Sequence, residues 1–480
     1  MLPSVLVVLM LLSCTRGENP AIQFTLTDKG LYYAKHKGAD WIQEKLEDVT
    51  LPDVSGEVSM GLLGSIDYTL SDMTVTKCDL PEPSVEFYPD ATGLKTSISD
   101  LSVALTGSWS THYHSIHDGG SFDMAVFQVD VTSVVKLGKD SDGRLSVTSV
   151  SCDAEVGDVA MQFHGGASWI FQPFVKHFKG RIGSKIQAQI CPSVEEEIVQ
   201  LEQHLQAMNV SFDLNPVVML DLPLTGLPVI TASSLTLGLK GEFYSIRTHT
   251  EPPFKAQPFT LPEQQDYMLS LGLSEFTLNS ASFGYYTAGV LQTTIDDSMI
   301  PSYCPVRLNT TSMGHYIPQL PKMFPGLLMS LKVYAQDVPA FSFQPDVVRL
   351  GVQAGVKAFA IQKNGTQTPL FTLILDSKFS GKVWTSDARL KGSVKMDNFT
   401  LRLKATEIGS FSTADLENLV LNGIQKVGIP VLNEKLAKGV ILPRMKQVQL
   451  VNTVLKVEKG FVAMSSDTEV LTDRGVTDKL

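Results

Sequence analysis

The sequence predicts a fold of the α+β class, in which two strand-rich modules carry a few long amphipathic helices. Most of the 480 residues alternate apolar and polar side chains with a period of two, which is typical of antiparallel strands with one buried face. Helical periodicity is confined to a few long segments. A proline-rich stretch lies near the middle of a chain that is too long for one ordinary core, so two or three domains are expected.

The strand pattern is clearest at two places. The apolar positions share one face at Leu235, Leu237, Leu239, Gly241 and Phe243, and again at Phe399, Leu401, Leu403 and Ala405. Many such segments are separated by Gly, Asp and Ser turns. This arrangement predicts barrels or long curled sheets.

Five segments are predicted to be helical. Residues 28–49 form one stripe, with Thr27 or Asp28 as the N-cap. Residues 168–190 form a second stripe, interrupted by Pro173, and Pro192 is expected to open a separate helix over residues 193–208. A late helix is predicted over residues 413–438 with a break near Pro430, and a short one over 318–324.

Composition shifts along the chain predict its domain organisation. Residues 1–17 contain an apolar run too short to span a bilayer and form a predicted signal peptide, with a bacterial lipoprotein signal as the alternative. The prolines of residues 248–265 indicate a linker between an N-terminal module (18–247) and a C-terminal module (266–472), followed by a tail (473–480). Secretion also agrees with four N-glycosylation sequons, at Asn209, Asn309, Asn364 and Asn398.

Charge and motifs exclude several classes of function. Residues 18–250 hold 15 Lys and Arg against 30 Asp and Glu, whereas residues 251–480 hold 23 against 20. The acidic N-terminal half therefore argues against binding to nucleic acid or to anionic membranes through bulk charge. No catalytic signature is present, and the adjacent Asp296 and Asp297 are expected in a turn rather than as an acid/base pair. We predict that the protein is not an enzyme.

Four cysteines follow the signal peptide, at positions 78, 152, 191 and 304. Their spacing fits no zinc motif, so a disulfide is expected, and spacing alone leaves three complete pairings open.

The stretch GSWSTHYHSIHDGG, residues 107–120, holds three of the nine histidines, His112, His114 and His117. A metal site, a pH switch and a plain hairpin tip are the three interpretations. Strand alternation with a turn at Gly119-Gly120 places His112 and His114 on one face and His117 on the other, which weakens a three-histidine metal site. We predict that the stretch holds no metal.

Several motifs together resemble one known family. They are NPAIQFTLTDKGLYYA from Asn19, LKGEFY at 239–244, YMLSLGLSEFTLNSASFGYYTAGVL at 267–291, DDSMIP at 296–301, PVLNEKLAKG at 430–439 and LPRMKQVQLVN at 442–452. This set is similar to the family of bactericidal permeability-increasing protein and lipopolysaccharide-binding protein, with phospholipid and cholesteryl ester transfer proteins as relatives. The similarity extends over almost the whole mature chain.

The resemblance implies a boomerang of two similar modules, each a highly twisted antiparallel β-barrel with long amphipathic helices, joined by a central β-sheet. It implies a disulfide between Cys152 and Cys191, which leaves Cys78 and Cys304 either as thiols or as a second bridge. It also implies an apolar pocket for a phospholipid in each module, a bound ligand rather than a cofactor. The predicted lining of the N-terminal pocket is Leu26, Leu31, Ile42, Leu46, Trp169, Ile170, Phe174 and Phe178.

The family resemblance implies a secreted, monomeric innate-immunity protein that binds lipopolysaccharide, phospholipids and the outer-membrane surface of Gram-negative bacteria, with leukocyte granules as a further location. The alternative is an extracellular phospholipid transfer protein with weak endotoxin affinity, which the acidic N-terminal half favours. The predicted head-group residues at the tip of the N-terminal module are Trp109, His112, His114, His117, Lys136, Lys139 and Arg144. The histidines would make this tip cationic below their ordinary pKa of about 6.5.

Overall fold

The structure is a computed structural model that describes residues 18–47, 50–51, 53–59, 64–113, 116–166, 168, 175–302, 304, 306–442 and 448–470. The predicted signal peptide and the predicted tail lie outside these residues. Positions 471 and 472, at the end of the predicted C-terminal module, also lie outside them. The described chain is of the α+β class and consists mainly of antiparallel strands.

The elements of the N-terminal module begin with a short strand and a long helix. The strands are β1 (Ile22–Thr27), β2 (Thr50–Leu51), β3 (Val54–Ser59), β4 (Ser65–Asp79), β5 (Ser84–Tyr88), β6 (Gly93–Tyr113), β7 (Ile116–Lys139), β8 (Leu145–His164), β9 (Ser211–Asp213), β10 (Val218–Asp221), β11 (Val229–Ile230), β12 (Ser234–Leu239) and β13 (Glu242–Ser245). The helices are α1 (Asp28–Glu47) and α2 (Val175–Gln206), with a 3₁₀ turn at Pro89–Ala91.

The C-terminal module repeats the order of long strands followed by helix. Its strands are β14 (Leu269–Ser274), β15 (Gln292–Asp296), β16 (Leu328–Ala335), β17 (Ala340–Gln344), β18 (Val347–Ile361), β19 (Gln367–Ser386), β20 (Arg389–Thr406), β21 (Val440–Ile441), β22 (Val448–Glu458) and β23 (Phe461–Val470). Its helices are α3 (Glu275–Thr287), α4 (Thr310–Met313), α5 (Gln319–Met323), α6 (Ala414–Gly423) and α7 (Ile429–Lys438), with a 3₁₀ turn at Asp297–Met299 and a π-helix at Ile424–Gly428.

A central sheet joins the two modules, with strand order β11-β12-β1-β14-β23-β22. Its first three strands come from the N-terminal module and the last three from the C-terminal module. The junction is the antiparallel pair β1–β14, in which Ile22 lies opposite Leu273 and Leu26 opposite Leu269. The two modules therefore share one hydrogen-bonded sheet, which confirms the predicted architecture.

The linker follows this central sheet closely. Residues 248–265 contain neither helix nor strand. The Asn19 side chain donates a hydrogen bond to the carbonyl of Ala256 at 3.0 Å, and Gln23 donates to that of Phe259 at 2.8 Å. The Phe259 ring stacks on Phe461, 4.7 Å between centroids. The linker therefore packs along the sheet, while the exact domain boundaries stay a prediction.

Each module also has a curled sheet of long strands. In the N-terminal module β2, β4, β6, β7 and β8 are neighbours in that order, with β3 beside β4 and β5 beside β6. In the C-terminal module the order is β15-β16-β18-β19-β20-β21, with β17 beside β18. Long twisted strands coil strongly, so each sheet curls around an apolar interior.

Helix α2 spans the gap between the two edges of the N-terminal curled sheet. On the β8 edge, Glu202 accepts a hydrogen bond from the Val147 N–H at 2.6 Å. On the β3 edge, Arg181 and Lys185 donate to backbone carbonyls. In the C-terminal module Asn433 of α7 bonds both the N–H and the carbonyl of Val394 on β20. Helical side chains thus satisfy strand edges that would otherwise be open.

Most predicted helices are confirmed, with one error. The first helix covers Asp28–Glu47, the short one Gln319–Met323, and the late one breaks into a π-helix just before Pro430. The predicted break at Pro192 is wrong, because α2 continues through this proline to Gln206. Proline removes the hydrogen bond to the carbonyl of residue 188. Both residues are exposed, so water can satisfy that carbonyl.

Helix α2 is the longest helix of the described residues, with 32 residues. None of the described helices combines such a length with the hydrophobicity that a membrane span requires.

Candidate functional site

Two buried apolar clusters occupy the interior of the N-terminal module. The tip cluster consists of Tyr68, Leu70, Met73, Leu105, Trp109, Phe122, Met124, Val126, Val129, Val159, Met161, Phe163 and Ile182. The inner cluster, nearer the central sheet, consists of Leu31, Phe87, Leu137, Val147 and Leu235. Strand alternation directs these strand residues inward, while α2 supplies Ile182 and α1 supplies Leu31.

Between the two clusters the interior side chains are only half-buried. Val156 of β8 and Ile186 and Ile190 of α2 pack on the tip cluster but remain partly accessible. Ile198, about two turns beyond the α2 disulfide cysteine, similarly packs on the inner cluster. Apolar surface beneath α2 is therefore left available for contact with another apolar group, such as an acyl chain.

The disulfide lies at this intermediate level. The structure joins Cys152 of β8 to Cys191 of α2, the pairing that the family resemblance implied. It fixes the helix to the sheet between the two apolar clusters. Cys78 is buried in β4, Cys304 is half-buried in the other module, and no disulfide joins them within the described chain.

The predicted pocket lining is only partly covered by the structure. Leu31 belongs to the inner cluster and Leu26 packs against it. Positions 42 and 46 lie on α1 and position 178 on α2, but the side chains of Ile42, Leu46 and Phe178 lie outside the description. Trp169, Ile170 and Phe174 also lie outside the described residues. The lining of the pocket stays a prediction.

The histidine-rich hairpin differs from its prediction. Strands β6 and β7 pair as far as Tyr113 and Ile116, so Gly119 and Gly120 lie within β7 and not in the turn. His112 is directly opposite His117, and their Nδ1 atoms are 3.0 Å apart. The two histidines therefore share one face, whereas the prediction separated them. His114 lies outside the described residues.

Gly119 and Gly120 allow close packing of neighbouring groups and do not form the turn. A Cβ atom at Gly120 would lie 2.1 Å from the carbonyl oxygen of His164 and 2.8 Å from Nε1 of Trp109. Glycine is needed here because strand and indole approach too closely for any side chain.

Trp109 was predicted to be a head-group residue at the surface, but its side chain is buried. Its side chain is 3% exposed and lies in the tip cluster. The indole Nε1–H donates to the carbonyl of His164 at 3.1 Å, and the ring meets Phe163 edge-on. The prediction failed because Trp109 points into the module interior, although it lies only four positions from Tyr113, the described end of β6.

The predicted basic residues do not lie at the tip either. Lys136 and Lys139 are at the opposite end of β7 from His117, next to the central sheet. Arg144 follows them in the β7–β8 loop, where it binds Asp140 and Asp142 and donates to the carbonyl of residue 208. A single uninterrupted strand separates the two groups, so they cannot bind one head group together.

Two other cations lie near the tip, and the sequence analysis missed them. A cleft of about 520 Å³ separates α2 from β3 and is lined by Ser55, Gly56, Glu57, Tyr68, Gly180, Arg181, Ser184 and Lys185. Register places Gly56 opposite Tyr68, and Tyr68 opposite the residue preceding His112, so the cleft is close to the hairpin end. The i,i+4 spacing of Arg181 and Lys185 on a predicted helix was a signal that both face one side.

The C-terminal module has a comparable apolar interior. Its buried cluster includes Ile317, Leu320, Met329, Leu370, Phe371 and Leu401, and helix α6 contributes Leu416. A cleft of about 820 Å³ at the end of the β18–β19 hairpin is lined by Met323, Phe324, Pro325, Leu327, Gln362, Lys363, Asn364, Thr366 and Thr368.

The remaining predicted positions are distributed over the surface. Asn209, Asn364 and Asn398 are exposed, whereas Asn309 is half-buried and its side chain caps α4. Their glycosylation stays a prediction. Asp296 caps the 3₁₀ turn and Asp297 pairs with Arg307 at 2.7 Å, so this acidic pair is structural. Within the described ranges no three His, Cys, Asp or Glu side chains converge as metal ligands.

Known proteins are similar to this chain over almost its whole length. Bactericidal permeability-increasing protein of Sebastes schlegelii is 37% identical over 465 residues, 97% of this chain and 98% of that protein. Lipopolysaccharide-binding protein of Bos taurus is 28% identical over 473 residues, 98% of each chain. The crystal structure of lipopolysaccharide binding protein superimposes with a TM-score of 0.59 at 24% identity, covering 95% of this chain and all of that one, which shows a common fold.

Family models divide the chain near the end of α2. The N-terminal domain of the LBP / BPI / CETP family matches residues 30–208, and the C-terminal domain of the same family matches residues 213–470. The shared central sheet, the two curled sheets and these matches lead to one conclusion: this chain belongs to the LBP / BPI / CETP family.

Proposed function

We propose that this protein is an extracellular innate-immunity protein that binds bacterial lipopolysaccharide and phospholipids and acts against Gram-negative bacteria. The observation that carries the proposal is the half-buried apolar surface beneath α2, between the tip cluster and the inner cluster. Membership of a family of lipid-binding and lipid-transfer proteins, which are not enzymes, supports it. Relatives are named for lipopolysaccharide binding and for bactericidal action.

Such an interior suits the acyl chains of an amphiphile. Each methylene gains roughly 0.8 kcal/mol on leaving water. A chain of about ten methylenes would therefore gain on the order of 8 kcal/mol gross, which favours a site enclosed between helix and sheet over an open surface groove. We expect the lipid to be a bound ligand, carried by a secreted monomer to and from lipid surfaces.

The first test is direct identification of bound lipid. Protein secreted from eukaryotic cells is extracted with organic solvent, and the extract is analysed by mass spectrometry. We expect phospholipid in near-stoichiometric amount. Secreted, folded protein that releases no lipid, and that takes none up from vesicles, would contradict the proposal.

Phospholipid transfer without strong endotoxin affinity is the second candidate function. The acidic N-terminal module and the histidines at its hairpin favour it, because uncharged side chains attract lipid A phosphates weakly at neutral pH. A salt series separates the two functions. Endotoxin affinity that falls steeply with salt supports phosphate contacts, whereas salt-independent exchange between vesicles supports transfer.

The histidine pair provides a pH test of the hairpin. His112 and His117 face each other across the hairpin, so positive charge on either ring would lie at the tip of the N-terminal module. We expect endotoxin to bind more tightly at pH 5.5 than at 7.5, and the double variant His112→Gln/His117→Gln to remove this difference. Equal binding at both pH values in the wild type would exclude a role for these histidines in recognition.

A further inference from the structure

The end of the C-terminal module away from the central sheet has an uncovered apolar surface. Most of this surface forms one wall of the cleft of about 820 Å³ at the end of the β18–β19 hairpin. Met323 is 51% exposed, the neighbouring Leu328 is 53% exposed, and Pro325 is also exposed. Phe324 and Leu327 are half-buried, because they pack on the buried cluster of the module. The wall is therefore anchored from inside, while its outer surface meets water.

The opposite wall of the cleft is a tight polar turn. Strand β18 ends at Ile361, which pairs with Leu328 on one side and with Gln367, the first residue of β19, on the other. Within the turn the Gln362 N–H donates to the carbonyl of Thr366 at 2.9 Å. The strand register therefore places this turn directly beside the apolar surface.

Asn364 lies in this turn and lines the cleft. Its Oδ1 accepts a hydrogen bond from the Thr366 N–H at 3.0 Å, which fixes the orientation of the side chain. The Asn364 Nδ2 donates to no group of the described chain, and the residue is exposed. Residues 364–366 read Asn-Gly-Thr, which is an N-glycosylation sequon. The nitrogen that would accept a glycan is thus part of the lining of a half-apolar cleft.

The two walls differ in chemistry, and this difference limits the ligand. The turn offers amides and hydroxyls, and Lys363 is the single charged side chain among the described residues that line the cleft. A polyanion would find only one cation there, and an acyl chain would leave the polar wall without partners. A pyranose ring has a C–H face and a rim of hydroxyl and acetamide groups, so it satisfies both walls.

We propose that Asn364 carries an N-linked glycan whose first N-acetylglucosamine folds back into this cleft and covers the apolar wall. The C–H face of the sugar packs on Met323, Phe324 and Pro325, and its polar groups face the turn. The glycan thereby shields an apolar surface that would otherwise favour association. The inference rests on the extracellular location in the proposed function and not on lipid binding.

The covalent step is a glycosyl transfer from an oligosaccharide carried on a polyprenyl diphosphate. The Asn364 amide nitrogen forms a bond to the anomeric carbon of the first sugar, and the bond from that carbon to the diphosphate oxygen breaks. The diphosphate leaves with the electron pair, and the amide nitrogen loses one proton. Thr366 supplies the hydroxyl residue that the sequon requires.

Two variants remove the glycan by different routes. Asn364→Gln removes the acceptor, whereas Thr366→Ala keeps the asparagine but destroys the sequon. The matched control is Asn398→Gln, which removes an exposed sequon asparagine on β20 of the same module that is not among the described lining residues. Full-length protein is secreted from eukaryotic cells. Glycopeptide mass spectrometry measures the occupancy of each sequon, and circular dichroism checks folding.

We expect Asn364 of the wild type to be glycosylated. Loss of the glycan in either variant should raise the binding of a hydrophobic fluorescent dye about twofold or more. It should also speed amide hydrogen exchange in residues 319–328, because their cover is lost. Asn398→Gln should match the wild type in both measurements. Adding Met323→Ser to Asn364→Gln should remove part of the extra dye signal, since the dye then loses apolar surface.

Enzymatic trimming of the folded wild type locates the contact and needs no variant. An endoglycosidase that leaves one N-acetylglucosamine on the asparagine should preserve slow exchange in residues 319–328. An amidase that removes the whole glycan should abolish it. Loss of protection after either treatment would overturn the assignment to the first sugar.

The remaining outcomes separate this inference from the proposed function. An unoccupied Asn364 beside glycans at other sequons would overturn the inference alone. An occupied Asn364 whose glycan can be removed without any change in dye binding or exchange would overturn the contact with the cleft. Protein without a glycan at any sequon would overturn the extracellular location as well. Absence of lipid from an otherwise confirmed glycoprotein would contradict the proposed function and leave this inference intact.

Discussion

Trp109 shows that a residue four positions from the described end of β6 can belong to the core. The indole is almost fully buried, contacts Phe163 and donates to the carbonyl of His164. It thereby links β6 to β8 across β7, at a level where Gly120 leaves room for the ring. We infer that Trp109 stabilises the hairpin from inside and does not contact a ligand head group.

Replacement of this side chain should therefore be costly. We expect Trp109→Ala to lower the free energy of unfolding of the N-terminal module by about 3–5 kcal/mol, because it leaves a large cavity. Trp109→Phe, which keeps the aromatic ring but loses the hydrogen bond, should cost about 1–2 kcal/mol. Chemical unfolding followed by circular dichroism measures both. The exposed neighbour Ser110→Ala is the control, and a Trp109→Ala variant as stable as this control would refute the burial.

The same residues show why the hairpin could not be placed from sequence. A Gly-Gly pair near the end of a strand is a common signal for a turn. Here Gly119 and Gly120 are required because neighbouring strands and the indole of Trp109 approach them closely. The indole itself bonds to the carbonyl of His164, which is 55 positions away in the sequence. Such contacts are not encoded in the local pattern, so the place of the two glycines within β7 and the His112–His117 pairing appear only in the fold.

At the scale of elements, α2 is the part on which the interior of the N-terminal module depends. Glu202 and Gln187 accept hydrogen bonds from β8, while Arg181 and Lys185 donate to β3. The disulfide lies on the β8 side, between the two apolar clusters. The helix therefore bridges both edges of the curled sheet and covers the apolar interior that the proposed lipid occupies.

Loss of the disulfide should destabilise this helix. The bond closes a loop of 39 residues between Cys152 and Cys191, and loop-closure entropy predicts a contribution of about 3–4 kcal/mol. We expect Cys152→Ser/Cys191→Ser to unfold at a lower temperature and to show faster amide hydrogen exchange in α2. Cys304→Ser, in the other module, serves as the control. Unchanged exchange in α2 would show that packing alone holds the helix.

Elements were predicted better than the contacts between them. Periodicity located α1, α5 and the late helices to within a few residues, because each has one apolar stripe. It failed at Pro192, where exposure lets the helix tolerate a proline, and it gave no information on what α2 faces. Arg181 and Lys185 were visible as an i,i+4 pair, but only the strand register of β3 and β4 brings Gly56 and Tyr68 beside them.

At the scale of the whole molecule, a cluster around Asp467 joins the two modules. Its carboxylate binds Lys29 of α1 at 2.8 Å and accepts a hydrogen bond from the Met268 N–H at 3.1 Å, just before β14. Thr27 contributes a further bond to the Met268 carbonyl at 3.2 Å. These contacts connect the first helix, the start of the C-terminal module and its last strand, where the two halves of the central sheet meet.

The ionisation of Asp467 should therefore affect how stably the modules are joined. Burial alone raises its pKa, but hydrogen bonds from Lys29, Asn452 and the Met268 N–H outweigh burial and hold the pKa below its ordinary value. Because the pKa is lowered in the folded state, the stabilisation is present above the ordinary pKa of about 3.9 and is lost as the pH falls through the folded value.

We expect Asp467→Asn to lower the free energy of unfolding by about 1–2 kcal/mol at pH 7, a value discounted because the Lys29 side chain is 42% exposed. The difference from wild type should shrink as the pH approaches 3 and below, since wild-type Asp467 then becomes protonated. Thermal unfolding between pH 2.5 and 7 measures both curves. Lys29→Met is the matched variant: it removes the cation but keeps the carboxylate, so its effect should be smaller and should also fade in acid. A constant offset between wild type and Asp467→Asn at every pH would show that the charge of this residue does not hold the two modules together.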